Sequence, residues 1–132
     1  MLDNTNSIPF IYVVTPPQMA AVAGSTASTT LIMQADSRFE LIGIFGATDQ
    51  AAERTDVNPN YFTCTIRDQT TGRDLMSAPV PQRILCGNAF NGFLQKRGVV
   101  FEPQSNLLFT FTNLVNATNT VTLALHGYKM IL

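Results

Sequence analysis

The sequence has no tryptophan, one histidine and two cysteines, and only 13% of its 132 residues are charged. Each scarcity narrows the chemistry available. With His126 as the single histidine, any Ser-His-Asp or Cys-His arrangement would have to be built on that one ring. Zinc fares no better. There is no CxxC, HxH or HExxH spacing, and Cys64, Cys86 and His126 fall short of a closed shell unless a carboxylate joins them. Two cysteines define no disulfide framework, so a Cys64–Cys86 bridge stays open on spacing while a reducing compartment argues against it. The N-terminal MLDNTNSIPF has no basic segment followed by an apolar run, and no signal peptide is read. No apolar run approaches the ~20 residues of a membrane-spanning helix, so no membrane partner is expected. Net charge is −1, and only Lys96-Arg97 are adjacent basic residues, which gives no patch for phosphates and no expected nucleic-acid partner. FGAT after the apolar FELIGI lacks the remainder of a phosphate-binding loop. No catalytic residue, cofactor site or metal site is read, and an enzyme is not expected.

What the chain does have is 45% apolar residues and a wealth of Thr, Asn, Ser and Gln to cover the outside. A chain of this length forms one domain, burying roughly two-thirds of its unfolded surface. A neutral, hydrogen-bonding exterior suits packing against other proteins. YFTCTIRD alternates with period two, Phe62, Cys64 and Ile66 on one face and Tyr61, Thr63, Thr65 and Arg67 on the other. NLLFTFTNL does the same with Leu107, Phe109 and Phe111, and the last strand with Val121, Leu123 and Leu125 against Thr120, Thr122, Ala124 and His126. STTLIMQA and RFELIGIFGA add two more strands around a turn at Asp36-Ser37, and GVVFEP another. RDLMSAPVP returns from a turn at Gly72 and ends at prolines, while 87–98 reads as a looser connection. About eight short strands without a convincing helix predict an all-β, antiparallel jelly-roll-like β-sandwich, with an immunoglobulin-like sandwich as the next choice.

Residues 1–26 read differently. IPFIYVV, Pro16-Pro17 and MAAVAGSTA predict an extended N-terminal arm with one short strand and then a loop or a brief helical turn near 19–22, followed by the sandwich over 27–132. The segment either closes a sheet or reaches onto a neighbouring subunit. On the second reading, Phe10, Tyr12, Pro16, Pro17 and Met19 are subunit or capsid interface residues, together with Phe90, Phe93 and Leu94 from the Gly/Asn-rich connection. The same loop aromatics would otherwise fold back and cap the sandwich.

Other polar groups have structural readings beside functional ones. Asp49, Glu53 and Asp56 could supply oxygen to calcium, but their spacing matches no calcium loop and a solvated loop with a helical turn over 50–54 serves as well. Arg67, Asp68, Arg73 and Asp74 flank a tight hairpin, where opposite charges stabilise by about 0.2–1 kcal/mol per pair. Asn116-Ala-Thr118 fits a glycosylation sequon, which has no use without a secretory route. His126 falls on the Thr-rich face of the closing strand, where a histidine is a surface or contact residue.

Two stretches resemble a recurrent pattern in small virion proteins of tailed bacteriophages. The first, FTCTIRDQTTGRDLMSAPVPQRILCG, has a strand, a hairpin and an LM-x-x-PVP exit, then a short apolar strand and Gly. The second, FEPQSNLLFTFTNLVNATNTVTLALHGYKMIL, has P-x-S-x-L before a strand ending in Thr-Asn-Leu. An Asn-rich turn and a closing L-x-L-x-GYK strand follow. Together they cover about residues 60–132. The resemblance implies a small jelly-roll sandwich made in the host cytoplasm that decorates or cements a phage capsid, bound to the major capsid protein on the outer shell, commonly as a homotrimer. It carries over no catalytic residues. The alternative is a tail or fibre sandwich that recognises a host glycan, for which Tyr61, Tyr128 and Phe90 would be the stacking platforms.

Overall fold

The computed structural model describes residues 7–55, 59–86 and 93–132, with the backbone alone at 54 and 93–97. Nearly all of it is strand: β1 (Ser7–Val14), β2 (Thr26–Ile32), β3 (Ser37–Thr48), β4 (Phe62–Asp68), β5 (Arg73–Asp74), β6 (Val80–Pro81), β7 (Phe93–Phe101), β8 (Asn106–Asn113) and β9 (Val121–Ile131). A 3₁₀ turn at Ala51–Arg54 and a four-residue helix, α1 (Gln82–Leu85), complete it.

The strands form two antiparallel sheets, ordered β1-β9-β3-β7 and β2-β8-β4-β5, with β6 also on β4. The pairing is nested: β1 lies against β9, β2 against β8, β3 against β7, and β4 against β5 and β6. That is one long hairpin rolled over so that successive strands alternate between layers, the jelly-roll arrangement. The all-β sandwich expected from the sequence is therefore the fold of the protein. β5 and β6 share one edge position beside β4, so nine strands fill eight places.

Period-two alternation places the core. Phe62, Cys64 and Ile66 from β4, Leu107, Phe109 and Phe111 from β8, and Val121, Leu123 and Leu125 from β9 are all buried between the sheets. Each contributes about 1.5–3 kcal/mol by leaving water. β3 would lose this parity over its twelve residues but for a bulge between Leu41 and Gly43. The extra residue, Ile42, resets the alternation so that Phe39, Leu41 and Ile44 all face inward.

Several expectations are corrected. The segment over 1–26 is not an arm apart from a sandwich beginning at 27. β1 pairs with β9 at eight register positions, and Tyr12, Val14 and Met19 are core residues. Past Pro16-Pro17 the chain takes the loop alternative and not the helical turn over 19–22; it crosses the end of the sandwich, where Met19 and Asn119 exchange backbone hydrogen bonds at 2.8 and 3.2 Å. The turn expected before Ser37 is present and joins the two sheets, because β2 pairs with β8 and β3 with β9. RILC lies in and just after α1 instead of forming a strand, and Phe93 begins β7 instead of belonging to a loose connection.

Candidate binding surface on the outer face of the first sheet

The outward side of β1, β9 and the second half of β3 carries no charged side chain. Register aligns Ile11 with His126 and His126 with Gly43, and aligns Val13 with Ala124 and Ala124 with Phe45. Ala47 and Thr122 form the next row. Ile11 and Val13 are 49% and 60% exposed, which is high for aliphatic side chains on neighbouring positions of one face. Charge appears only beyond the bulge, where Glu40 stands opposite Tyr128.

At the bulge this face opens into a groove of about 500 Å³, lined by Pro9, Phe10, Ile11, Ile42, His126, Gly127 and Tyr128. Its floor depends on Gly127, where a Cβ would lie 1.9 Å from the Glu40 carbonyl oxygen. The missing side chain lets β9 and β3 approach while Ile42 is displaced outward. His126 sits edge-on to Phe45, ring centroids 4.6 Å apart. Cys64, the thiol that could have partnered it, lies on the inner face of the other sheet. Both cysteines are free and buried. Burial, more than the neighbouring Cys86, pushes the Cys64 thiol far up; burial, with Glu53 nearby, pushes Cys86 up to about 12.

Two of the loop carboxylates, Asp49 and Glu53, are engaged by donors. Asp49 Oδ1 accepts from the Thr120 N–H at 3.0 Å and from Gln50 Nε2 at 3.1 Å. Glu53 Oε2 accepts the N–H of Thr48 at 2.8 Å and also its hydroxyl, and Oε1 accepts from Gln82 Nε2 at 3.1 Å. Asp56 lies outside the described residues. Among the described residues no three His, Cys, Asp or Glu side chains gather to hold a metal. The hairpin charges pair as their spacing predicts, Arg67 with Asp74 at 2.8 Å and Arg73 with Asp68 at 3.8 Å. Asn116 Oδ1 accepts the Ala23 N–H at 2.9 Å, so the sequon asparagine helps tie down the N-terminal crossing.

The expected interface residues scatter. The side chains of Tyr12, Pro16 and Met19 are buried within the chain and so do not supply the exposed contact expected of them. Phe10 is half-buried beneath the Lys129 ammonium, 4.1 Å from its ring centroid, and Pro17 is exposed. The backbones of Phe93 and Leu94 pair with Ile44 and Gly43, and Phe90 lies outside the described residues. Of the tyrosines considered for sugar, Tyr61 is half-buried while Tyr128, 41% exposed, borders the groove.

Sequence reading missed the buried polar groups. Lys129 is 7% exposed and donates to Gln34 Oε1, with Asp36 Oδ1 3.6 Å away. The Gln34 N–H in turn donates to the Tyr12 hydroxyl at 3.0 Å. Burial raises the Tyr12 phenol above its ordinary range despite that hydrogen bond. Asn113 is buried at the inward position after Leu107, Phe109 and Phe111, and that phase was the one available sign of its role.

No family model and no curated protein sequence matches the chain. Among solved structures, the Drosophila NLP core, described in connection with pentamer formation and histone binding, is similar at 14% identity and a TM-score of 0.39. It is covered over 97% of its length by 91% of this chain. A protein of Sulfurospirillum deleyianum gives 10% identity and a TM-score of 0.37, over 97% of that chain and 89% of this one. The structure of infectious bursal disease virus, Gx strain, gives 11% identity and a TM-score of 0.36, with 94% of this chain spanning 37% of that one. At these values the likenesses carry neither a family nor a function.

Proposed function

We propose that the chain is a non-enzymatic structural protein of a tailed-phage virion, which decorates or cements the outer capsid by binding the major capsid protein through the outer face of its first sheet. The observation that carries this reading is the run of uncharged outward positions, Ile11, Val13, Phe45, Ala47, Thr122, Ala124 and His126, on a closed sandwich. Covering such a face removes apolar surface from water at about 25 cal/mol per Å² without stripping water from a charge. A protein bound only to the assembled shell stabilises that shell by mass action. The resemblance over residues 60–132 supplies the phage setting.

Co-sedimentation with purified capsids lacking this protein tests the reading. The wild-type chain should pellet with shells, and Phe45→Lys should release it while leaving its circular dichroism unchanged. Failure of the wild type to bind, or undiminished binding by the variant, would contradict it.

The groove favours a second reading. Tyr128 beside His126 resembles the aromatic-plus-polar lining of a sugar subsite, as in a tail module that recognises a host glycan. Saturable glycan binding lost in Tyr128→Ala, with no capsid binding, would establish it in place of the first.

A further inference from the structure

The four sheet edges are unequal, and the inequality points to a partner. The edge strand β7 carries Lys96 and Arg97, and the edge beside β4 is broken into two-residue strands bearing Arg73, Asp74 and Pro81, with Pro79 just before the second. Charge, proline and interruption are the devices by which natural sheets keep an edge from pairing with another chain. On the opposite side of the sandwich β2 is uncharged but hydroxyl-rich, whereas β1, SIPFIYVV, is apolar along most of its eight residues. Its one protective feature is Pro9 near the start. Ile8, Ile11 and Val13 leave 51%, 49% and 60% of their surface in water along this edge.

We infer that β1 pairs antiparallel with β1 of a second copy, joining two first sheets into one continuous eight-stranded sheet. A strand bearing no charge meets its own copy without repulsion, and the antiparallel register makes the contact self-complementary about a two-fold axis. The area suffices. The edge is about 27 Å long, and the two-layer side of the sandwich is roughly 20 Å deep, so pairing covers on the order of 500 Å² per copy. That reaches the ~1,000 Å² total expected of a specific interface. A two-fold pair differs from the homotrimer that the resemblance implies. The inference requires only the isolated chain and stands apart from the capsid assignment.

Sedimentation equilibrium of the purified chain at micromolar concentration is the test, with Ile11→Lys and Val13→Lys as variants. Both residues are exposed, so unchanged circular dichroism will show that the variants fold. The wild type should have twice the chain mass, and each lysine should raise the dimer dissociation constant at least about tenfold by placing a like charge on both strands of the pair. Hydrogen exchange should slow at β1 amides as concentration rises. A monomeric wild type, any other stoichiometry, or dimers indifferent to both lysines would overturn the inference.

Discussion

Asn119 donates its side-chain amide to Asn113 Oδ1 over 3.2 Å, and both residues are fully buried. Around this contact three separate parts of the chain are held. Asn113 Nδ2 donates to the carbonyls of Ala20 and Ala117 at 2.9 Å, and its Oδ1 also accepts the Val115 N–H at 3.1 Å. Asn119 Nδ2 reaches the Tyr61 carbonyl at 3.0 Å. The N-terminal crossing, the β8–β9 turn and the approach to β4 thus converge on two side chains.

Truncating Asn113 strands several buried groups at once. Asn113→Ala should lower the unfolding free energy by about 2–4 kcal/mol in urea titration, since each unpaired buried group costs about 1–3 kcal/mol. Asn119→Ala should cost less, and the double variant less than the sum, because the two share a hydrogen bond.

At Gly127 the obstacle is backbone. A Cβ 1.9 Å from the Glu40 carbonyl oxygen cannot be relieved by turning a side chain. Gly127→Ala should destabilise by about 3 kcal/mol or more, or prevent folding, as forced overpacking does. Alanine at Gly24, where φ is +95° and the space is open, should cost only about 1 kcal/mol of backbone strain. Thermal unfolding of the two variants gives the comparison.

The two hairpin aspartates should contribute unequally. Asp68 is 1% exposed and accepts the N–H groups of Thr70 and Thr71 at 3.1 and 3.4 Å besides facing Arg73. Asp74 pairs with Arg67 in the open. Asp68→Ala should cost about 2 kcal/mol and Asp74→Ala less than ~0.5 kcal/mol in the same urea assay.

The cysteines predict an alkaline weakness. Their thiols titrate higher in the folded chain than the ~8.5 of an unfolded cysteine. Below that value both states keep the proton and stability is flat; above it the unfolded state loses protons first. Stability should fall by up to about 1.4 kcal/mol per pH unit for each thiol as pH rises from 8.5 towards the folded values. Urea midpoints at pH 7.5 and 9.5 check this, and Cys86→Ala should remove its own share of the difference while Cys64 keeps the rest. Native thiols should also resist alkylation at pH 8 until the protein unfolds.

The architecture was legible where alternation is strong. β4, β8 and β9 face a packed layer on one side and open out on the other, so their sequences carry period two directly. β1 carried the composition of a strand, but its partner β9 lies at the far end of the chain, and sequence gives no register across that separation. Reading it as an arm followed from that gap. The QRIL of α1 is too short for period to distinguish helix from strand. Asn113 and Asn119 looked like turn residues because asparagine favours turns; burial turned them into a network. His126 was correctly placed on the outward face, yet the groove beside it comes from a bulge and a glycine contact that no spacing reveals.

Cryo-microscopy of virions assembled with this chain tests the central claim most directly. The account predicts many ordered copies of the jelly roll on the outer capsid, with the face of Val13, Phe45 and Ala124 turned to the shell protein. Density confined to the tail, or a shell carrying no copies, would contradict it.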